Sequence, residues 1–593
     1  MSRTVMSRGR ALVSLAATIG LSLSAAAVVT GATPAQSAEP AGDCKAAYPV
    51  GDLARGDDVT GLTVTSGTTP TGFTGDVIGV LDDGIGPDLD MVIVELSSPE
   101  IDRVGGIWQG MSGSPVYASD GRLIGAVAYG LSYGASPVAG VTPFADMDDY
   151  LASAGRPGTI KVSDAQARAI ARSSDVSRAQ AAQGFSQLKM PLGVSGVSAQ
   201  RLAQAKHSKK HAWLPKSAYS IGTAAAPAAG PGPETVVAGG NLAASLSYGD
   251  VTQAGVGTAT SVCNGKVVGF GHPLGFLGET SLTLHPADAL YIQKDTLGPP
   301  FKVANLGAPA GTITDDHLTG ITGSFAGLPE TSDVTSTVTY RDRSRTGASH
   351  VSVPEGTAGT VFYEAIGNHD RVVDGVISGS ELLSWTINGH QADGSTFSLP
   401  VTDRYASDYD ITFESSYDLA DFTYALSAIK GVTIDDVTMT SAVDDDNSTY
   451  ALTQVQQRRG GKWVTLGKGS PAVGKPGKKL HLRTLLTSPT DTRYVKVSVG
   501  VPSKLRHGRA RIGVFGGSYN YSPYAYPSTL ARAKKYVDTY VRNDQVVASF
   551  GGFYGGEEDV YFRGGSASAP TQGVSAPQAH VVTGSRNVKL VVR

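Results

Sequence analysis

Cysteine is almost absent from the 593-residue chain, and the two present, Cys44 and Cys263, allow one bridge at most. In an oxidising compartment such a pair favours a disulfide; two unrelated buried thiols are the alternative. A surplus of charge is missing too: 49 Lys and Arg against 52 Asp and Glu leave a net charge of −3, with none of the basic excess that holds nucleic acid. No Walker loop, zinc-ligand spacing or dinucleotide fingerprint occurs, so no metal or other cofactor is implied. "VDDDNST" at 443–449 lacks the glycine and terminal glutamate of an EF-hand, and "TDDH" at 314–317 lacks partners. Both read as exposed loops. Beyond the N-terminal region no stretch is apolar enough to cross a bilayer. No convincing internal repeat is found.

What is there begins with an export signal. Arg3, Arg8 and Arg10 precede "ALVSLAATIGLSLSAAAVV" and then a stretch of small residues. That order reads as a signal peptide over 1–38, cut near Ser37 or Ala38, with an uncleaved membrane anchor as the alternative. The mature protein is therefore expected outside the cell or on the cell envelope.

Glycine (74) and proline (31) are frequent and punctuate many short Val/Thr/Tyr-rich runs, the pattern of a mainly β protein. Residues 45–155 read as a small barrel of short strands. Residues 156–234 read as a helical and linker region, with the Ala/Arg-rich "SDAQARAIARSSDVSRAQAAQ" and the flexible "TAAAPAAGPGPE". A second strand-rich block covers 235–340, β-sandwich-like modules are expected over 341–510, and a β/helix region with a helix near 527–544 closes the chain over 511–593. The Tyr-rich "GSYNYSPYAYP" at 517–527 reads as a packed loop or a carbohydrate-facing surface. The basic patches "KHSKKH" and "GKPGKKLHLR" read as solvated.

One stretch carries chemistry: "GGIWQGMSGSPVYASDGRLIGAVAYG", from Gly105 to Gly130. Glycines on both sides of Ser112 allow a sharp turn that exposes a hydroxyl. The amides of Gly110 and Ser112 would then converge as an oxyanion hole. A strand, an Asp-Gly turn and an apolar strand follow. A plain Gly/Ser turn is the bland reading. Ser114, on the emerging strand, would face away. Gly140-Val141-Thr142-Pro143 would line a pocket or simply turn the chain. A serine needs a base at neutral pH, and of 11 histidines His272, in "VVGFGHPLGF", follows an apolar strand among glycines. His285, in "LTLHPADAL", is the runner-up.

"RVGGIWQGMSGSPVYASDGRLIGAV" resembles the serine motif of the stage IV sporulation protein B (SpoIVB) family of serine peptidases, and "GVGTATSVCNGKVVGFGHPL" resembles that family's histidine segment. The likeness covers roughly 50–150 and 235–325. It implies two chymotrypsin-like β-barrel halves, with Ser112 as nucleophile and His272 as general base. Two departures stand out. Here the serine half precedes the histidine half, so the halves would meet within one chain or between two. Where the family has an acid before a proline, this chain has Ser98 before Pro99; Asp90 is the substitute considered first, then Asp102 and Asp250. The implied activity is that of an exported serine endopeptidase acting on a protein or peptide substrate. The rival is a secreted binding or scaffold protein of the cell envelope that has lost catalysis.

Overall fold

The computed structural model describes residues 42–132, 134–148, 161–174, 176–188, 192–206, 211–214, 219–220, 230–295, 299–519, 525–550 and 571–593. The expected signal peptide at 1–38, most of the Ala/Pro/Gly linker, Lys209 and Lys210 of "KHSKKH" and the middle of the Tyr-rich stretch lie outside the described residues. The chain is mainly β, with 49% strand and 18% helix, and contains two closed six-strand antiparallel barrels.

In the first barrel the strands are β1 (Asp58–Thr63), β2 (Thr71–Gly86), β3 (Leu89–Ser97), β4 (Pro115–Ala118), β5 (Leu123–Leu131) and β6 (Val138–Pro143). They run around the ring as β1-β2-β3-β6-β5-β4, and β4 closes onto β1 from Val59↔Ala118 to Gly61↔Val116. The second barrel uses β7 (Asn241–Gly249), β8 (Gln253–Cys263), β9 (Lys266–Gly269), β10 (Gly278–His285), β11 (Gly311–His317) and β12 (Gly320–Ser324). Its ring is β7-β8-β9-β12-β11-β10, with β10 closing onto β7. Counted from the first strand, the two rings have the same order. The repeat is one of topology, carried by no recognisable repeat of sequence.

Burial explains the composition of the central strands. β1 alternates exposed and buried positions, whereas β5 is buried at every position and β8 at all but its last. A strand covered on both faces needs continuous apolar or small residues, and "LIGAVAYGL" and "QAGVGTATSV" supply them. The small residues also let the barrels touch through backbone. A Cβ at Gly113 would lie 1.9 Å from the Thr258 carbonyl oxygen, and one at Gly271 would lie 2.9 Å from the Ala128 methyl. Thr258 N donates to Ser112 O (2.8 Å), Thr260 Oγ1 to Gly113 O (2.8 Å) and Thr142 Oγ1 to Gly271 O (2.6 Å). The halves therefore meet within one chain. A disulfide between Cys44 and Cys263, 219 residues apart, ties the start of the described chain to the end of β8.

Beyond the barrels the expected boundaries need correction. The division at 340/341 falls in the turn of a hairpin, Ser332–Tyr340 with Arg343–Val351, and that hairpin continues the second barrel's sheet through Ser247↔Val351. It belongs to an α/β layer completed by strands Gly379–Gln391, Thr396–Ser407 and Val432–Asp444 and by helices Pro354–Val373 and Ile411–Ser427. "HVSVPEGTAGTVFYEAI", which falls in the region expected to be β-sandwich-like, ends a strand at Val351 and then becomes helix. Pro354 occupies the first helical position, where its missing N–H is not needed. The helix is buried on nearly all sides, so it lacks the one-sided periodicity that marks a helix in sequence. The division at 510/511 likewise cuts the strand Gly508–Gly516. The β-sandwich runs instead from Thr449 to Val592 as two five-stranded sheets. Helix Leu530–Asp538 leaves it to stack Tyr536 on Phe422 of the α/β layer, with ring centroids 4.8 Å apart.

Candidate active site

Each barrel contributes one side chain, and both come from the connection between its third and fourth strands. Between β3 and β4 the chain first forms helix α1 (Pro99–Val104). Ser98 Oγ caps it by accepting from Ile101 N at 3.2 Å. Ser98 thus has a local task. After α1, Gly110 (φ 93°) and Gly113 (φ 95°) adopt left-handed backbone on either side of Ser112, a conformation strained for any side-chain-bearing residue. Met111 N donates to Trp108 O, Gly113 N to Val127 O and Ser114 N to Met111 O. Among the described residues no acceptor faces the amides of Gly110 and Ser112, which leaves two donors for an incoming oxyanion.

Between β9 and β10, Phe270 (φ 70°) and Gly271 (φ 71°) turn the chain so that His272 points into the first barrel. Its Nε2 lies 2.9 Å from Ser112 Oγ, across 160 residues of sequence. Both side chains are fully buried. Burial disfavours the imidazolium and lowers the His272 pKa to about 4, partly opposed by the Pro273 carbonyl. The ring is neutral at pH 7. Nδ1 lies 2.9 Å from Pro273 O, and when it carries the proton, Nε2 is left to accept from the serine hydroxyl.

No carboxylate meets Nδ1 among the described residues. Asp90 Oδ1 accepts from Asp83 N at 3.0 Å in the β2–β3 hairpin. Asp102 sits in α1, and Asp250 accepts from Arg345 (2.6 Å) at the edge of the α/β layer. The group at Nδ1 is Gln187, whose amide nitrogen lies 2.7 Å from Nδ1 and 2.9 Å from Pro273 O; a bond donated by that nitrogen to Nδ1 selects the other tautomer, with the ring proton on Nε2 facing Ser112. It belongs to the segment Phe185–Gln187, which lies between the barrels in sequence and pairs with Tyr129–Leu131. Nothing in the Ala/Arg-rich surroundings of Gln187 marks it in sequence.

Asp316 was also missed. It was read as part of an exposed loop, yet it is fully buried in β11 and its carboxylate collects Leu274 N (2.7 Å), Gly275 N (2.8 Å) and Leu277 N (3.1 Å). It holds the loop that follows His272. Desolvation raises its pKa against the lowering effect of those amides. Lys302 backs the nucleophile turn: its N donates to Gln109 O at 2.9 Å, and a Cβ at Gly110 would lie 2.8 Å from its Cβ. Its buried amine donates to Asn241 Oδ1 (2.8 Å), and desolvation lowers its pKa to about 7. Ser114 Oγ turns away to Thr63 Oγ1 at 3.0 Å. Gly140–Pro143 is part of strand β6 rather than a loop, and Thr142 braces the histidine turn. A cleft of about 670 Å³ lined by Thr60, Phe73, Asp102 and Tyr117 lies elsewhere on the first barrel and includes neither Ser112 nor His272.

No protein-family model, curated protein or solved structure matches the chain. The site is therefore interpreted from its own geometry.

Proposed function

We propose that the protein is an exported serine endopeptidase of the SpoIVB-like type. The observation that carries this reading is the 2.9 Å contact between Ser112 Oγ and His272 Nε2, beside two amides free to bind an oxyanion. In this mechanism Ser112 Oγ attacks the scissile carbonyl carbon while His272 Nε2 takes the hydroxyl proton. The amides of Gly110 and Ser112 stabilise the oxyanion, and His272 returns the proton to the leaving amine. Water then repeats the sequence on the acyl-enzyme. A low histidine pKa suits a base that must be unprotonated at neutral pH, although it limits the driving force for proton transfer. Gln187 carries no charge to stabilise the imidazolium as it forms. That specific feature favours the second reading, a secreted binding or scaffold protein that retains the barrels without turnover.

Peptide hydrolysis distinguishes them. A mixed peptide library incubated with the exported protein should acquire new carboxyl termini, and neither Ser112→Ala nor His272→Ala should produce them. An unchanged library with folded wild-type protein would favour the scaffold.

A further inference from the structure

The two ring nitrogens of His272 have unequal company. Nε2 meets Ser112 Oγ at 2.9 Å. Nδ1 has two neighbours, Pro273 O at 2.9 Å and the Gln187 side-chain nitrogen at 2.7 Å. A neutral imidazole carries a single proton, so Nδ1 either donates to the carbonyl or accepts from the amide, and cannot do both.

The second contact of Gln187 decides which way its amide faces. The same nitrogen lies 2.9 Å from Pro273 O, which can only accept. Turning the amide over would set its oxygen against that carbonyl. With nitrogen in place, its two N–H groups reach Pro273 O and Nδ1 together, and the ring proton is left on Nε2. Nε2–H then donates to Ser112 Oγ. A ring in that tautomer cannot take the hydroxyl proton, and the serine is not activated. The opposite tautomer needs Pro273 O for Nδ1–H and the Gln187 nitrogen withdrawn from Nδ1.

Backbone pairing delivers the amide to this point. Gln187, Ser186 and Phe185 pair antiparallel with Tyr129, Gly130 and Leu131 on the edge of β5. Leu188 N donates to Ala128 O at 3.0 Å, and Ser132 N donates to Gly184 O at 3.2 Å. Leu188 is buried in one apolar cluster with Ile107, Trp108 and Met111, beside the nucleophile turn. A Cβ at Gly130 would lie 3.0 Å from Leu188 Cδ2, so the absent side chain at 130 lets the strand seat closely.

Resting on the peptidase reading, we infer that Gln187 is a positioning residue that restrains the site: its amide donates to Nδ1, holds His272 in the tautomer that presents a proton to Ser112, and must let go before turnover. Letting go moves one proton from Nε2 to Nδ1 and changes no net charge. A carboxylate in the same place would act in the opposite sense, accepting from Nδ1–H and stabilising the imidazolium as it forms.

The test compares wild type, Gln187→Leu and Gln187→Glu as the full chain with isotope-labelled histidine. The ring nitrogen resonances of His272, assigned by their loss in His272→Gln, report which nitrogen carries the proton. At neutral pH that should be Nε2 in wild type and Nδ1 in Gln187→Leu. Reaction with a serine-directed fluorophosphonate should be about tenfold faster in Gln187→Leu, the effect of removing one neutral hydrogen bond. Gln187→Glu should react faster still, with the acid limb of its pH profile moved upward, because a carboxylate favours the charged ring. A merely structural role for the side chain would move neither the tautomer nor that limb. A wild-type ring protonated on Nδ1, or labelled variants that react no faster than labelled wild type, would overturn the restraint and leave the peptidase reading standing. No labelling of any of the three folded proteins would overturn the peptidase reading and the restraint with it.

Discussion

Among the described residues two serine–histidine pairs are buried, and apart from the Gln187 contact at His272 their hydrogen bonds are alike. His272 Nε2 meets Ser112 Oγ at 2.9 Å and its Nδ1 a backbone carbonyl at 2.9 Å; His285 Nε2 meets Ser245 Oγ at 2.9 Å and its Nδ1 the Gly307 carbonyl at 3.0 Å. Both rings are fully buried, and burial lowers both pKa values to about 4. The difference lies in the backbone. Ser245 sits mid-strand in β7, paired with Ala254 on one side and Thr283 on the other, so no converging amides face its hydroxyl. Ser112 sits in a left-handed glycine turn at the junction of two barrels, beside two free donors and an edge that accepts a peptide strand. A bonded serine and histidine satisfy buried polarity wherever they occur. What makes such a pair a candidate for catalysis is the turn around it.

The sharpest way to break this comparison is to exchange the hydroxyls. Ser112→Ala should lower peptide hydrolysis by about 10⁴-fold or more. Ser245→Ala should leave it within about twofold, because that hydroxyl faces only His285. A large loss in the second variant would mean that the pairs are not distinct. Next in size is the turn: Gly110→Ala places a methyl in a left-handed position 2.8 Å from the Lys302 side chain. Displacing that amide should cost about 10²-fold in turnover, with binding little changed, as read from kcat and KM separately.

The likeness of the pairs should appear in acid. Each histidine has a folded pKa near 4, below the ordinary 6.5, so the unfolded chain binds protons that the folded chain refuses. Stability is then full above about pH 6.5 and falls by about 3 kcal/mol per histidine as pH drops toward 4. Denaturant titrations across that window should show the slope, and His285→Asn should flatten it by about half of what the two rings contribute. The smallest effect is on stability at neutral pH. Ser245→Ala leaves a buried ring nitrogen without its partner and should cost about 1–3 kcal/mol, seen as a lower unfolding midpoint.

Legibility in sequence follows the same division. The turn at Ser112 is visible because left-handed backbone demands glycine at fixed positions, and "GMSG" shows it. His272 is visible for the same reason, lying in "GFGH". The mainly β character follows from short runs between turn residues. Gln187, Asp316 and the Ser245–His285 contact could not be found this way, since each depends on pairing across the fold and imposes no local pattern. The helix Pro354–Val373 was hidden by burial, which removes the polar face that gives a helix its period. The equal ring order of the barrels is a property of hydrogen bonding between strands, so dissimilar sequences share it.

The most direct test of the central claim is to treat the folded protein with a serine-directed fluorophosphonate and locate the adduct by peptide mass mapping. We predict one adduct, on Ser112, lost in His272→Ala and retained in His285→Asn. An adduct on Ser245, or none on folded protein, would contradict the account.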